Sequence, residues 1–351
     1  MKNITRVAIV GTGYMGARHA IKYRALDGVE IVAVVDQHAT RAQEVAAELR
    51  CRWFTSVHEL LESGVPVDAA SVATPTATHY SVGTALLEAG IHCLVEKPLA
   101  LNSSDARKLM NTAQRLERVL LPGHIERFNP AVRAVREQKP EIQYVTAYRV
   151  GPMSFRSLDT DVVLDVMTHD IDIALFLTGS SETTVCVVRA FASPENINDI
   201  AKAELRMGTC VVDLVASRLA IARRRKIRIF ASDGYYSIDC SKRTAVHLER
   251  TRYLEGLKEL HMYQQMGREV LGDEIFNAVG AKQIVDSLHD GSDSLTEELR
   301  HFIDEVNGRP HERIVTATDG VTVVSIAEEI LLVARAGLNV FTPPESFRRM
   351  R

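Results

Sequence analysis

Cysteine is scarce in this sequence, and its spacing suits neither a disulfide framework nor a metal site. The 351 residues include five cysteines, an odd number, and no two of them form a C-x-x-C pair. We therefore expect no disulfide scaffold and no zinc site, and we expect a reducing, cytoplasmic location. Because no H-E-x-x-H or similar spacing occurs either, we predict that the protein binds no metal.

Long apolar runs and a strong excess of one charge are also missing. No run reaches membrane-spanning length, and glycine interrupts the first apolar segment too early for a signal peptide. The formal net charge of −3 gives no overall field to attract nucleic acid or a membrane surface. The densest basic cluster, "ARRRK" at 222–226, favours a solvated hairpin between two predicted strands; the alternative is that it binds a phosphate from a neighbouring subunit.

What the first third of the chain does contain is an alternation of short apolar strands and helical patterns. The predicted strands are 6–10, 30–36, 68–74, 91–98 and 118–123. Such alternation predicts a parallel sheet with helices on both faces, and strands that are apolar throughout fit a sheet covered on both sides. We therefore predict a doubly wound, Rossmann-type α/β domain over residues 1–122.

After Gly123 the pattern changes, because strand-like segments follow one another without intervening helices. These segments are 183–192, 200–208, 209–219 and 226–240. Their succession favours a mostly antiparallel, open sheet. With the helical patterns around it, this sheet predicts a second α/β domain over residues 123–351, which would bind the substrate.

The stretch "VAIVGTGYMG" at 7–16 places the spacing G-x-G-x-x-G between a strand and a helix. In a dinucleotide site the first glycine makes the tight turn, the second lets the backbone approach the pyrophosphate, and the third lets helix and strand pack closely. Asp36 ends the next strand, where a carboxylate accepts hydrogen bonds from a ribose 2′-hydroxyl and repels a 2′-phosphate. We therefore predict an NAD site, with NADP or a mere glycine-rich turn as alternatives. Its predicted residues here are Gly11, Gly13, Tyr14, Met15, Gly16 and Asp36.

Two further segments, "ATPTATHY" at 73–80 and "CLVEKPLA" at 93–100, end the next two predicted strands. Ligands of such sheets gather at the carboxyl ends of strands, so both segments are expected to reach the cofactor. The "EKP" stretch puts two charged residues at the edge of a buried sheet; on its own it fits a salt-bridged pair and a catalytic lysine equally well. The segments add these residues to the predicted cofactor site: Thr74, Pro75, His79, Glu96 and Lys97.

These motifs occur together with "GHIERFNP" at 123–130, "LDVMTHDID" at 164–172 and "LTEELRHFID" at 295–304. In this order they resemble the glucose–fructose oxidoreductase, inositol dehydrogenase and rhizopine-catabolism family of oxidoreductases over most of the chain. The resemblance implies a lysine beside substrate and nicotinamide, a Lys97–Pro98 bond that is often cis, and an open sheet that often mediates a dimer or tetramer. Two of the motifs resemble the branch that oxidises the 3-hydroxyl of UDP-N-acetylglucosamine, a step toward amino sugars such as those of lipid A. The segment from about 253 to 292 is longer than is usual in that branch.

Asp165 and His169 lie four residues apart in a helix predicted over 161–179, so they share one face. Imidazole titrates near neutral pH, so His169 is suited to take a hydroxyl proton while a hydride passes to the nicotinamide. Lys97 would stabilise the developing alkoxide, and Asp165 would orient the imidazole or touch the substrate. An exposed i,i+4 pair is the alternative from the helix alone, and the resemblance carries the catalytic roles to all three positions.

A UDP-sugar carries two phosphates and needs cations. Arg127, Arg149 and Arg156 are candidates for these, and Asn129 is a candidate for the sugar hydroxyls, although each arginine could equally lie on the surface. Three functions stay open at this point: a 3-dehydrogenase of a UDP-N-acetylhexosamine, a dehydrogenase of a free polyol such as inositol, and a non-catalytic dinucleotide sensor.

Overall fold

The structure, a computed structural model, describes residues 4–153, 160–192, 197–265, 280–285 and 293–336. The chain divides into two compact units: Met1–Phe128 with Ser292–Glu328, and Asn129–Gly291 with Glu329–Arg351. The first unit is therefore discontinuous in sequence, in contrast to the continuous domain that the strand pattern predicts over 1–122.

The first unit contains a six-stranded sheet in the order β3-β2-β1-β4-β5-β6, and every neighbouring pair is parallel. The predicted doubly wound parallel sheet is thus confirmed. Its strands are β1 Thr5–Val10, β2 Val29–Val35, β3 Arg52–Phe54, β4 Ala69–Val72, β5 His92–Glu96 and β6 Leu120–Gly123. Its helices are α1 Tyr14–Tyr23, α2 Ala39–Leu49, α3 Val57–Glu62, α4 His79–Glu88, α5 Ser103–Arg115 and α9 Ser294–Val306, with 3₁₀ turns at Thr76–Thr78 and Ile125–Phe128.

Both faces of this sheet are buried. Successive side chains of a strand point to opposite sides, so each strand contributes residues to two apolar cores. Ala8 and Val10 of β1 belong to one apolar core, and Val7 and Ile9 belong to the other. The second core also takes in α9, whose apolar face it shares with α1. The α9 residues in that core are Leu295, Leu299, Phe302 and Ile303. This burial is the physical reason why the segment lies in the first unit.

The second unit contains an eight-stranded sheet in the order β14-β13-β12-β11-β7-β10-β9-β8. Its neighbouring strands are antiparallel except for β7 and β10, which are parallel, so the predicted mostly antiparallel sheet is confirmed. The strands are β7 Ile142–Val150, β8 Thr183–Ala192, β9 Asn198–Met207, β10 Cys210–Ser217, β11 Arg224–Ala231, β12 Gly234–Asp239, β13 Thr244–Glu249 and β14 Ala281–Val285.

Two helices cover one face of this second sheet. The helix α6, Pro130–Gln138, lies against β12, β13 and β14, and α7, Thr168–Thr178, lies against β7 and β10. The helix α8, Arg250–Gln265, follows β13, and α10, Ala317–Arg335, is the last helix among the described residues. More than half of the segment that is longer than usual, 253–292, falls outside the described residues; the described parts are 253–265, which belong to α8, and 280–285, which include β14.

A buried histidine in α9 makes the stability of the first unit depend on pH. The His301 ring is 6% exposed and lies against the rings of Phe128 and His311, with centroids 5.4 and 4.6 Å away. Burial, followed by the charge of His311, lowers the pKa of His301 to about 4. The unfolded chain therefore binds a proton below pH ~6.5 that the folded chain rejects, so stability is present above that pH and is lost as the pH falls toward 4.

We expect a His301→Gln variant to remove most of this pH dependence. Between pH 7.5 and 5, the wild-type free energy of unfolding should fall by about 1–2 kcal/mol more than that of the variant. Urea titrations at the two pH values measure the difference. His58→Gln is the matched control, because that side chain is 78% exposed and should leave the dependence unchanged. Equal losses in wild type and the His301 variant would contradict the prediction.

Candidate active site

The glycine loop between β1 and α1 has the geometry that a pyrophosphate requires. Gly11 has φ +89, and a Cβ there would lie 2.6 Å from the carbonyl oxygen of Ala73. A Cβ on Gly16 would collide with the carbonyl oxygen of Gly11, so the loop closes tightly only with glycine at both positions. At Gly13, the N-cap of α1, a Cβ would meet nothing within 4 Å, and no side chain caps the helix. An open, uncapped helix N-terminus fits an anionic cofactor.

Asp36 follows β2 and is bonded to the same loop. Its Oδ2 accepts hydrogen bonds from the Thr12 backbone N–H at 2.9 Å and from the Thr12 hydroxyl at 2.8 Å, and its Oδ1 accepts one from His38 N–H at 3.0 Å. Burial alone would raise the pKa of Asp36, but these hydrogen bonds and the charge of Arg41 lower it. The carboxylate therefore keeps its charge and also anchors the glycine loop, a second role that the motif spacing does not reveal.

A Gly13→Ala variant should separate cofactor binding from folding. Gly13 has φ −67, which alanine adopts without strain, and its Cβ has room in the protein itself. We expect unchanged thermal stability, and a dissociation constant for NAD at least about 10-fold higher because the methyl group occupies space the pyrophosphate needs. Calorimetric titration with NAD measures the second effect. A Gly16→Ala variant should instead lose stability, and wild-type affinity in the Gly13 variant would contradict the prediction.

The loops after β4 and β5 are tied together by His79. Its ring is buried, with Nε2 2.9 Å from the carbonyl oxygen of Thr74 and Nδ1 2.8 Å from that of Pro98. The Lys97–Pro98 peptide bond is cis, as the family resemblance implies. Thr74 is half-buried and Pro75 is exposed, so these two can reach a ligand, whereas His79 lies beneath them. The geometry of His79 therefore favours a role in holding the two loops together over direct contact with the cofactor.

Beside Lys97, the structure shows a buried partner that the motif did not suggest. Glu96 Oε1 lies 2.9 Å from His19 Nε2, and the other ring nitrogen of His19 lies 3.1 Å from the hydroxyl of Ser71. The EKP glutamate therefore has a hydrogen-bond partner on α1, so Glu96 does not pair with Lys97 alone. Two sequence signals mark this arrangement: a lone serine in an apolar strand, and a histidine on the helix that opens at the glycine loop.

Asp165 and His169 lie in the second unit, where the helix begins differently from the prediction. The residues Val163–Met167 form a π-helical turn, and the α-helix α7 starts only at Thr168. The prediction of one regular α-helix over 161–179 is therefore wrong at its start. Both side chains are half-buried. Single π-turns inside helices often occur at functional sites, which agrees with the predicted roles of these residues.

Two of the predicted diphosphate ligands are buried and bonded to carboxylates. In the second unit, Arg149 donates from Nε and Nη2 to Asp170 Oδ1 at 2.9 and 2.8 Å. In the first unit, Arg127 Nη2 lies 3.0 Å from Asp319 Oδ1, and Nη1 donates to the carbonyl oxygen of residue 314. A buried guanidinium whose charge is already balanced is poorly placed to bind a diphosphate. The two roles stay predictions, and these contacts do not favour them.

The other two substrate candidates fare differently. Asn129 is 3% exposed and caps α6, since its Oδ1 accepts from Ala131 N–H at 3.1 Å and its Nδ2 donates to the Cys240 carbonyl at 3.0 Å. This arrangement makes Asn129 a structural residue of the second unit, so its predicted contact with sugar hydroxyls is not favoured either. Arg156 lies outside the described residues.

Two absences concern only the part of the chain that the structure describes. Within it, no cluster of three histidine, cysteine, aspartate or glutamate side chains could hold a metal ion. Within the same residues, no helix combines the length and the apolar character that crossing a bilayer requires.

Comparison with known proteins gives matches over both units. Residues 5–124 match the model of an oxidoreductase family with an NAD-binding Rossmann fold, and residues 143–237 match the GFO/IDH/MocA C-terminal domain. UDP-N-acetylglucosamine 3-dehydrogenase of Acidithiobacillus ferrooxidans is 37% identical over 312 residues, which are 87% of this chain and 93% of that protein. A solved structure of that enzyme superimposes with a TM-score of 0.80 over 95% of this chain and 98% of its own, at 32% identity. Myo-inositol 2-dehydrogenase of Thermotoga maritima is 24% identical over 77% of this chain and 86% of its own.

Proposed function

Because this chain belongs to the GFO/IDH/MocA family of oxidoreductases, we propose that it oxidises the 3-hydroxyl of a UDP-N-acetylhexosamine to the 3-keto sugar, with NAD as the oxidant. UDP-N-acetylglucosamine is the substrate we favour. The observation that carries the proposal is the 37% identity with a UDP-N-acetylglucosamine 3-dehydrogenase, which extends over 87% of the chain. The inositol dehydrogenase relative matches with lower identity and over a smaller share of the chain.

Oxidation of a secondary alcohol removes a proton from oxygen and a hydride from carbon, so that a carbonyl forms. Bound NAD supplies the acceptor for the hydride. We assign the proton to the half-buried imidazole of His169. Lys97 donates a hydrogen bond to the same substrate oxygen and stabilises the charge that develops on it. Asp165, in the π-turn before α7, orients the imidazole or the sugar.

The residues around the glycine loop fit the cofactor for reasons independent of the motif. The uncapped start of α1 with its open Gly13 provides backbone N–H groups for the pyrophosphate. The charged carboxylate of Asp36 favours the 2′-hydroxyl of NAD over the 2′-phosphate of NADP.

We also propose that the protein is a cytoplasmic homo-oligomer that associates through the second sheet. Tyr148 on β7 and Phe230 on β11 are 47% and 45% exposed on the face that α7 does not cover. Exposed aromatic side chains on a broad sheet favour burial against a second copy. Light scattering should give a mass of at least a dimer for the wild type and a lower mass for Phe230→Glu. Met262→Glu, on exposed α8, is the control that should leave the mass unchanged.

The function is tested by incubating the protein with NAD and UDP-N-acetylglucosamine and following NADH absorbance. Substrate deuterated at carbon 3 should react more slowly and deliver its deuterium to NADH, which identifies the oxidised position. Parallel reactions with UDP-N-acetylgalactosamine, free N-acetylglucosamine and myo-inositol separate the alternatives. Turnover of myo-inositol alone would favour the polyol dehydrogenase. NAD binding without turnover of any of them would favour the dinucleotide sensor.

A further inference from the structure

A chain of buried polar side chains leads from the interior of the first unit to the residue before Lys97. The Tyr23 hydroxyl lies 2.9 Å from the Ser71 hydroxyl, which lies 3.1 Å from His19 Nδ1, and His19 Nε2 lies 2.9 Å from Glu96 Oε1. Tyr23, Ser71 and His19 each have no exposed surface. The four residues come from α1, β4 and β5, so three separate elements converge on one carboxylate.

One assignment of protons satisfies every contact in this chain. The carboxylate of Glu96 can only accept, so His19 donates from Nε2. A ring with its proton on Nε2 accepts at Nδ1 from the Ser71 hydroxyl, and Ser71 in turn accepts from Tyr23. Burial raises the pKa of the Tyr23 phenol, so this residue keeps its proton and can act as the first donor. The ring of His19 is thereby fixed in one orientation.

Glu96 is the charged end of the chain. Three ionisable groups face its carboxylate: His19 from α1, His79 from α4, and Lys97 beside it. Burial raises the pKa of Glu96, but the hydrogen bond from His19 and the charge of Lys97 outweigh burial and lower it. Its Oε2 lies 3.3 Å from the Lys97 backbone N–H.

The space for this carboxylate is provided by a glycine on the neighbouring strand. A Cβ on Gly123 would lie 3.1 Å from Glu96 Oε2 and 3.2 Å from its carboxyl carbon, which is closer than ordinary contact. The carboxylate is therefore held between His19 on one side and the bare backbone of β6 on the other. Because Ser71 is fully buried, the Ser–His–Glu sequence cannot act as a hydrolytic triad, and its role must be exerted through Glu96.

We propose that His19 is a positioning residue for the dehydrogenation: by donating from Nε2 to Glu96, it holds that carboxylate beside Lys97 and so keeps the lysine in place. The inference rests on the role given to Lys97 in the proposed function. It adds a residue on α1, outside the EKP and D-x-x-x-H motifs, whose loss acts on the reaction only through that lysine.

Two substitutions of His19 test whether its hydrogen bond to Glu96 matters or whether the side chain only contributes packing. The amide nitrogen of His19→Gln can reach the position of imidazole Nε2, whereas that of His19→Asn is too short. With NAD and UDP-N-acetylglucosamine, we expect kcat to fall about 10–50-fold in His19→Asn and to recover to within about 5-fold of wild type in His19→Gln. The NAD dissociation constant should change by less than about 2-fold in both. The matched controls are His301→Asn and His301→Gln. His301 is buried but is not part of this hydrogen-bonded series, so the two variants should have equal kcat.

A double-mutant cycle tests whether His19 acts through Lys97. Adding His19→Asn to a Lys97→Ala background should cost less than about 2-fold in kcat, because the group on which His19 acts is already absent. If Lys97→Ala lowers turnover but the full penalty of His19→Asn persists in that background, the inference is wrong and the proposed function stands. If Lys97→Ala turns over at the wild-type rate, the role of the lysine in the proposed function is wrong.

Discussion

Replacing Lys97 with alanine should lower kcat/KM for UDP-N-acetylglucosamine by about 10³-fold, equivalent to about 4 kcal/mol of transition-state stabilisation. The ammonium group is proposed to donate to the oxygen on which charge develops, and water in a truncated site replaces such a donor poorly. The loss should appear mainly in kcat, because the interaction strengthens as the reaction proceeds. Steady-state kinetics with saturating NAD measures it.

Two controls make the result on Lys97 specific. Lys97→Met keeps most of the aliphatic stem, so it should lose as much activity as alanine while retaining the fold. Calorimetric titration should show that NAD still binds to both variants within about 3-fold of the wild type, since the pyrophosphate is expected at the glycine loop. Turnover in either variant near the wild-type rate would show that another group stabilises the alkoxide.

Replacing His169 with asparagine should lower kcat/KM by about 10²–10³-fold at neutral pH, because the reaction loses its general base. Activity should also change its dependence on pH. In the wild type, kcat/KM is expected to fall on the acid side as the base becomes protonated. In His169→Asn this limb should disappear, and the residual rate should rise with hydroxide concentration. A pH series of initial rates for both proteins measures the change.

Asp165→Asn is the graded comparison for His169. If Asp165 only orients the imidazole or the sugar, replacing it should lower kcat/KM by a smaller factor, about 10–50-fold. The fall of kcat/KM on the acid side should remain. An acid limb that survives in His169→Asn but disappears in Asp165→Asn would reassign the base to the carboxylate. Wild-type activity in both variants would remove the D-x-x-x-H pair from the mechanism altogether.

The cofactor side of the molecule could be predicted because its signals are local. The strand, the glycine spacing and the helix start fall within residues 5–23, and Gly11 and Gly16 have the close backbone contacts that the motif requires. The parallel sheet could be predicted for the same reason, since each apolar strand and the helix that follows it are read within one short window. The open space at Gly13 agrees with the role that the spacing assigns to the second glycine.

The buried partners could not be predicted in this way, because each joins residues that are distant in sequence. His19 and Glu96 are 77 residues apart, and Ser71 comes from a third element. The arginines show the same limit: whether a guanidinium is available depends on the carboxylates that the fold brings to it. Arg149 meets Asp170 and Arg127 meets Asp319, and neither pairing leaves a trace in the local pattern. The π-turn before α7 is also invisible to a periodicity that assumes one regular helix.

The late position of α9 in the chain has a consequence for biosynthesis. When the ribosome has synthesised residues 1–128, all six strands of the first sheet have been translated, but the second core, which includes Val7 and Ile9 of β1, still lacks Leu299 and Phe302. Nearly the whole of the second unit must be translated before that surface is covered. The nascent first unit therefore has an incomplete interior while almost all of the second unit is synthesised, and apolar surface exposed in this way is prone to aggregation.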